Sequence, residues 1–487
     1  MPSRERWIVR TIVFSIVIAR SAVFLWHPES YFDSDQAVFG LMAKHLAEGR
    51  AFPLFMYGQS YILGVEAWLA APLFALFGAS AFLLKLPLLV VNLAIAWLLL
   101  RELEQAGLRP SLAGAAALPF ILPSVGLAAA FVEPSGGNVE PFLYVLLIWI
   151  TRRRPVLCGA IAAVGFLQRP FVLYGVVALV AVEAICRRLA ARDLLRRVAW
   201  MFGAAAAVWL LAQALRPLSS GSGPGTSVDE LYGASNNVME LAARTCISPS
   251  TALTGMGQLA AVHFPALLGT APHPLSAFAI ESAGSQGLPY VSWIPLLAVL
   301  VAAAGIAASL SRRAVRVPSV ALYLVIVGLL SPAGYVLGRC GTVTFTGMRY
   351  ELLSVLGLSG LFGWFLVARA PRPLTAIWGA LVVCWLIVVS VPHARLLREY
   401  AAGPPVPAKM QLLQVLRDRG VRYGTADYWI AYYVTFMARE RMIVAATEVK
   451  RIRSYDAIVA SHPDAVHLSR RACEGGELLI PGVYRCP

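Results

Sequence analysis

Charge is what this sequence has least of. Asp, Glu, Lys and Arg make up 14% of its 487 residues while 59% are hydrophobic, and a single soluble core cannot hide that much apolar chain. Cysteine and histidine are sparse, seven of each, and no CxxC or Cys/His spacing suggests a zinc site. Acids number 26 against 41 Lys and Arg, a formal charge of +15. That surplus does not indicate nucleic acid, because the basic residues concentrate in short loops beside apolar runs, where they orient a chain in a bilayer. No internal repeat is visible, which counts against a transporter or flippase built from related halves. No small-residue cleavage site follows the first apolar stretch, so a retained span is expected there and not a cleaved signal peptide.

What is present is a series of apolar runs of about 20 residues, each enough to cross a ~30 Å hydrocarbon core. Hydropathy and charge place spans near 8–26, 81–100, 111–131, 140–151, 155–168, 171–186, 198–215, 291–310, 318–338, 350–368 and 373–391. The expected fold is therefore an α-helical polytopic membrane protein with about eleven transmembrane helices, since helices satisfy their own backbone hydrogen bonds in lipid. Arginine clusters such as Arg152, Arg153 and Arg154, or Arg187, Arg188, Arg192, Arg196 and Arg197, mark the cytoplasmic side. An odd number of spans then leaves the amino terminus inside and puts the loop after the first span, with the carboxyl-terminal tail, outside. Cys246, Cys340, Cys473 and Cys486 fall in outer segments; a Cys473–Cys486 pair and unpaired thiols are both open.

Three outer regions are large enough to build a site: 27–80, 216–290 and the tail from 393. Together with the spans they divide the chain into a transmembrane part, 1–392, and a small extracytoplasmic α/β domain, 393–487. In the first loop, Asp33 and Asp35 directly follow the first span. Asp35 to Glu48 reads as an amphipathic helix with Val38, Leu41, Met42 and Leu46 on one side and Asp35 at its amino-terminal end. A polar, aromatic turn with Tyr57, Gln59 and Tyr61 follows, and then an apolar helix over 62–77 with Glu66 embedded in it. That helix is expected to lie at the interface, because counting it as a span would put the arginine clusters outside. FVEPSGGNVEPF adds Glu133, Asn138 and Glu140 to the outer face. His263 is a lone histidine in apolar sequence, and Asp427 has the position of a helix cap. In the tail, RYGTAD and RMIVAA read as short strands around the helix YWIAYYVTFMARE, followed by YDAIVA and LLIPGVYRC.

Four segments in order, DQAVFGLMAKHLAEG, FPLFMYGQSYILGVEAWLAAPLFALFG, GMRYELL and ADYWIAYYVTFMARER, resemble the GT-C-fold glycosyltransferases of the family 39 or PMT-like kind. The resemblance implies transfer of a sugar from a polyprenyl-phosphate carrier to an acceptor on the extracytoplasmic side, with a first-loop aspartate as catalytic residue. Asp35 takes that role, with Asp33 as the other candidate base. Gln36 departs from the pattern, since relatives often carry Asp-Glu where this chain has Asp-Gln.

The chemistry is intelligible from the residues as well. An acceptor hydroxyl is a poor nucleophile until a carboxylate within hydrogen-bond reach takes its proton, and single inline displacement inverts the anomeric carbon. The departing lipid phosphate needs cations, and Lys85, Arg169 and Arg349 lie on that side, Lys85 about one turn inside its span. Tyr57, Gln59, Tyr61, Glu66 and Tyr350 complete the candidate substrate contacts. The acceptor class, whether protein, lipid or glycan, stays open. So does a divalent cation, for which the first-loop acids are candidate ligands. A membrane transporter or flippase is the competing function, and a noncatalytic lipid- or polysaccharide-binding scaffold a third.

Overall fold

The computed structural model describes residues 2–59, 62–186, 190–219, 248–270, 290–311, 317–338 and 345–487. Tyr61, Cys246 and Cys340, together with most of the 216–290 loop, lie outside the described residues. The chain is mostly helical. Among the described residues six helices are long and apolar enough to cross a membrane: Arg4–Trp26, Ala81–Gln105, Ala191–Leu218, Trp293–Ser311, Ser319–Gly338 and Arg372–Ala402. The remaining expected spans are also helical but shorter. Glu140–Thr151, at 12 residues, rises only about 18 Å, well short of ~30 Å of hydrocarbon. Among the described residues, length and composition therefore give six candidate crossings, where hydropathy and charge along the sequence lead to an expectation of eleven spans.

The stretch expected as one span over 111–131 is two helices, Pro110–Ile121 and Val125–Ala130. Leu122, with φ −129° and ψ 72°, precedes Pro123, whose ring excludes helical geometry from the residue before it. Ser124 restarts the chain by accepting from the Leu127 amide. At the other end, Arg372–Ala402 runs unbroken for 31 residues, past position 393.

The tail carries a five-stranded sheet, with β1 Tyr423–Ala426, β2 Ile443–Ala446, β3 Val466–Ser469, β4 Glu477–Ile480 and β5 Val483–Cys486, in the order β2-β1-β3-β5-β4. β2, β1 and β3 are parallel, and β3, β5 and β4 antiparallel. The tail helix Tyr428–Met437 makes the crossover from β1 to β2, and Asp427 caps it by accepting from the Trp429 amide. YDAIVA is helical, within Arg453–Ala460, and Cys473 and Cys486 form a disulfide.

The first-loop helix, Ser34–Ala47, differs from its expected one-sided face. Ten of its 14 residues are buried, polar Ser34, Gln36 and His45 included, because it is sandwiched between Val65–Phe77 and the tail helix. Phe32, Val38, Phe39, Met42 and Phe74 share one apolar core with Ile430, Tyr433 and Phe436 of the tail. A Cβ on Gly40 would lie 2.4 Å from the Phe436 ring, so this approach requires glycine. The amino-terminal cap of the helix is Asp33, which accepts from the Gln36 amide at 3.0 Å, and not Asp35.

A charged clasp closes the same junction. The turn after the tail helix puts Arg439 and Glu440 in the left-handed region, φ 54° and 59°, uncommon for residues with a Cβ. It aims Glu440 at Lys44, Arg50, His45 (3.0 Å) and the Tyr455 hydroxyl (2.7 Å). Burial works to raise the Glu440 carboxyl, but hydrogen bonds from His45, Arg50 and Lys44 outweigh it and hold the group well below the usual carboxylate range. A carboxylate depressed by folding stabilises above its unfolded pKa, and that contribution fades as the pH falls. Glu440→Gln is expected to cost about 2 kcal/mol, less than a fully buried pair because water still reaches the cluster. The check is thermal unfolding in detergent, where the gap to wild type should narrow as the pH drops below ~4.5. A gap that does not change with pH would assign the effect to packing and not to charge.

Candidate active site

A cavity of about 390 Å³ opens where the first loop meets the helix ends and the tail. Its wall takes Asp35 from the first-loop helix, Gln59 from the turn, and Ser135 from the loop before Glu140–Thr151. Gln168 and Arg169 come from the end of Pro155–Gln168, Arg349 and Tyr350 from the GMRY turn, and Arg451 from the segment after β2. Each comes from a helix end or from a turn or loop between elements.

Asp35 is held from two sides. The Tyr428 hydroxyl of the tail helix donates to its Oδ1 at 2.5 Å, and Arg349 Nη1 lies 3.9 Å from its Oδ2. Arg349 also donates to the Tyr350 hydroxyl at 3.3 Å, with its guanidinium over that ring. Arg169 donates from Nη2 to the Ser135 carbonyl at 2.8 Å. Arg451 donates from Nη1 to the Tyr57 carbonyl at 3.4 Å and lies over the Tyr428 ring. The Nε–H groups of Arg169, Arg349 and Arg451 are all buried without a hydrogen-bond partner, and so is Gln59 Oε1. A buried donor without a partner is costly, and three of them belong to arginines that line this cavity.

This architecture is shared with solved proteins. The oligosaccharyltransferase of Archaeoglobus fulgidus superposes with a TM-score of 0.50 at 14% identity in its apo form, covering 95% of this chain and 69% of that one. The same enzyme tethered to an acceptor peptide containing the NVT sequon gives 0.50 at 13%. ArnT of Cupriavidus metallidurans bound to undecaprenyl phosphate gives 0.38 at 13% identity, covering 95% and 93%. The fold is of the GT-C kind. No protein-family model matches the sequence, and no curated protein does.

Of the residues singled out in the sequence, Asp35, Gln59, Arg169, Arg349 and Tyr350 meet on the cavity wall. Asp33, Tyr57, Glu66 and Lys85 are not on it. Tyr57 is buried beneath, its hydroxyl 3.0 Å from His45 Nδ1. Glu66 accepts from the Gly136 and Gly137 amides, 2.8 Å each, in a two-glycine nest at φ 88° and 102°. Lys85 is only 1% exposed and donates to the Tyr31 carbonyl at 3.1 Å. His263 is paired with Glu351 at 2.9 Å, both fully enclosed. Arg451, Tyr428 and Gln168 escape a sequence reading. Tyr428 sits beside Asp427 in an apolar helix, and Arg451 is one of several basic residues in VKRIR. Nothing local marks either; only the packing of tail on loop brings them to Asp35.

Among the described residues, no group of three or more His, Cys, Asp or Glu side chains is placed to hold a metal ion. Asp33 points its carboxylate at a helix amino terminus, while Asp35 faces a guanidinium and a phenol. The pair does not converge as a donor set.

Behind Asp35 lies a second acid cluster. Burial, with Asp35 nearby, raises Asp33 above the ordinary carboxylate range, against the Gln36 amide, Lys409 and Lys85. Burial and Asp33 together push Glu133 up to about 8 from an ordinary 4.5. Between those two values the folded protein keeps a proton that the unfolded chain has shed, so stability falls as pH rises. Unfolding free energy, followed by thermal unfolding in detergent, is therefore expected to decline from pH ~5 to ~8, by at most about 1.4 kcal/mol per pH unit from this group. Glu133→Gln, neutral throughout, should flatten the decline. Parallel wild-type and variant curves would show that Glu133 is not the group being titrated.

Proposed function

We propose that this chain is a membrane glycosyltransferase that moves a sugar from a polyprenyl-phosphate carrier to an acceptor hydroxyl, in the manner of the family 39 or PMT-like enzymes it resembles. The observation that carries the reading is the single cavity joining the Asp35 carboxylate to three guanidinium groups with unpartnered Nε–H. The likeness in fold to an oligosaccharyltransferase supports it.

In this reading Asp35 is the general base. The acceptor O–H gives its proton to the Asp35 carboxylate as the oxygen bonds to the anomeric carbon. The bond from that carbon to the carrier phosphate breaks, and its electron pair leaves on the phosphate oxygen. Attack from the face opposite the leaving group inverts the carbon. Arg349 and Arg169 receive the phosphate and its growing charge, as preoriented donors in a site partly shielded from water. The phosphate contact considered for Lys85 passes to these arginines, because the Lys85 ammonium is enclosed behind the cavity among Tyr31, Asp33 and Glu133. The Tyr428 hydroxyl fixes the Asp35 rotamer, and Gln59 and Tyr350 offer polar contacts to the sugar or acceptor. The cavity would face the extracytoplasmic side, with the amino terminus in the cytoplasm.

Purified protein supplied with a panel of polyprenyl-phosphate sugars, with and without chelator, and assayed for release of the lipid phosphate, tests this. Asp35→Asn is expected to lower turnover roughly 10²–10⁴-fold, and Tyr428→Phe to lower it by about tenfold by loosening the carboxylate. Asp33→Asn should stay close to wild type, since Asn caps a helix about as well as Asp. Full turnover in Asp35→Asn would refute the mechanism, and loss in Asp33→Asn alone would move the base to Asp33.

A further inference from the structure

The cavity wall carries more positive charge than the leaving phosphate can use. Three guanidinium groups face one carboxylate, Asp35. Arg349 lies 3.9 Å from Asp35, and Arg169, which donates to the Ser135 carbonyl, is close enough to Arg349 for the two charges to oppose each other, so an anion between them relieves both. Arg451 stands apart from that pair. Its direct partners are the Tyr57 carbonyl and Tyr428, whose ring it overlies and whose hydroxyl it also reaches, and the carboxylate that acts on it, Asp35, also serves Arg349 and Tyr428. It is 8% exposed, with Nε buried and unpartnered. A carrier phosphodiester seated between Arg349 and Arg169 leaves Arg451 with no anion of its own, only a share of Asp35.

Arg451 is also held in place. The Tyr432 hydroxyl lies 2.5 Å from its backbone amide and 3.1 Å from that of Ile452, each amide donating. The segment is anchored at its backbone, and the guanidinium lies on the cavity wall with its Nε–H unpartnered, a planar fork of the kind that recognises a carboxylate or phosphate.

We propose that Arg451 forms a second anion subsite, separate from the phosphate subsite of Arg349 and Arg169, which recognises a negatively charged substituent, a carboxylate or phosphate, on the transferred sugar or on the acceptor. This rests on the glycosyltransferase reading and narrows its substrate class. A neutral hexose moved to a neutral acceptor leaves Arg451 unsatisfied; a uronic acid or a phosphorylated glycan satisfies it.

The test compares partners with the same skeleton and different charge, using the full chain in nanodiscs. One arm offers polyprenyl-phosphate hexose against polyprenyl-phosphate hexuronate with a common acceptor. The other offers neutral against uronate- or phosphate-bearing acceptors with a common donor, so the two sources of the anion are told apart. Wild type is expected to favour the anionic partner in one arm by about tenfold or more in kcat/KM. Arg451→Gln should abolish that preference while polyprenyl phosphate affinity stays within about twofold, whereas Arg349→Gln weakens polyprenyl phosphate by about tenfold. Arg451→Lys, which keeps the charge but not the fork, should retain part of the preference and serves as the check on folding. No preference in either arm overturns the proposal. So does an Arg451→Gln protein that loses polyprenyl phosphate as Arg349→Gln does, because Arg451 then belongs to the phosphate subsite. If no donor is turned over, the transferase reading fails by itself. Calorimetry with methyl glucuronide and methyl glucoside then decides the subsite: equal binding overturns it, and tighter glucuronide binding lost in Arg451→Gln upholds it.

Discussion

The molecule turns on one half-buried carboxylate shared between distant parts of the chain. Asp35 stands in the first turn of the first-loop helix, takes a hydrogen bond from Tyr428 in the tail and faces Arg349 from the end of a late helix. A carboxylate partly shielded from water is best matched by donors and cations. Matching it here requires the loop, the tail and the helix ends to converge on one point. The apolar core that joins the first-loop helix to the tail and the clasp around Glu440 hold that convergence from the other side of the helix.

Around this point the polar groups are arranged in two layers. The inner layer is Asp35 with Arg169, Arg349 and Arg451, whose donors are incompletely used. The outer layer is largely satisfied within the protein. Lys85 donates to the Tyr31 carbonyl and Lys409 to the Phe32 carbonyl, and Glu66 closes the Gly136–Gly137 nest. Gln168 bridges the Tyr144 hydroxyl and Glu140. A layer whose bonds are internal keeps its neighbours in one rotamer, and one with open donors binds. In the proposed function, the division separates most of the residues that hold the site from those that meet a ligand, with Gln168 on the cavity wall as well.

Much of this is legible in the sequence, and what is not has a physical cause. Hydropathy finds the helices because burial in lipid demands long apolar runs, but it does not see that Pro123 breaks one of them or that 12 residues fall short of a bilayer. Asp35, Gln59, Arg169, Arg349 and Tyr350 stand out as polar residues at the ends of apolar stretches. Lys85 stands out for the same reason, yet the fold turns it inward to a carbonyl. Tyr428 and Arg451 carry no such local signal. Tyr428 lies 393 residues from Asp35 in the sequence, with Arg451 farther still, and both come near it through the packing of the tail on the first-loop helix at Gly40, a tertiary contact that no periodicity encodes.

The glutamine at position 36 shows how the outer layer constrains the inner one. Its side chain is 2% exposed and donates from Nε2 to the Tyr31 carbonyl at 3.0 Å, the same oxygen that Lys85 reaches. An ionised glutamate there would set an acceptor against an acceptor and add a third carboxylate beside Asp33 and Glu133, groups that burial already drives toward the neutral form. Glutamine supplies the donor and no charge. The departure from Asp-Glu therefore falls in the supporting layer, off the cavity wall. It leaves Asp35 as the one carboxylate on the wall of the described cavity, among three arginines.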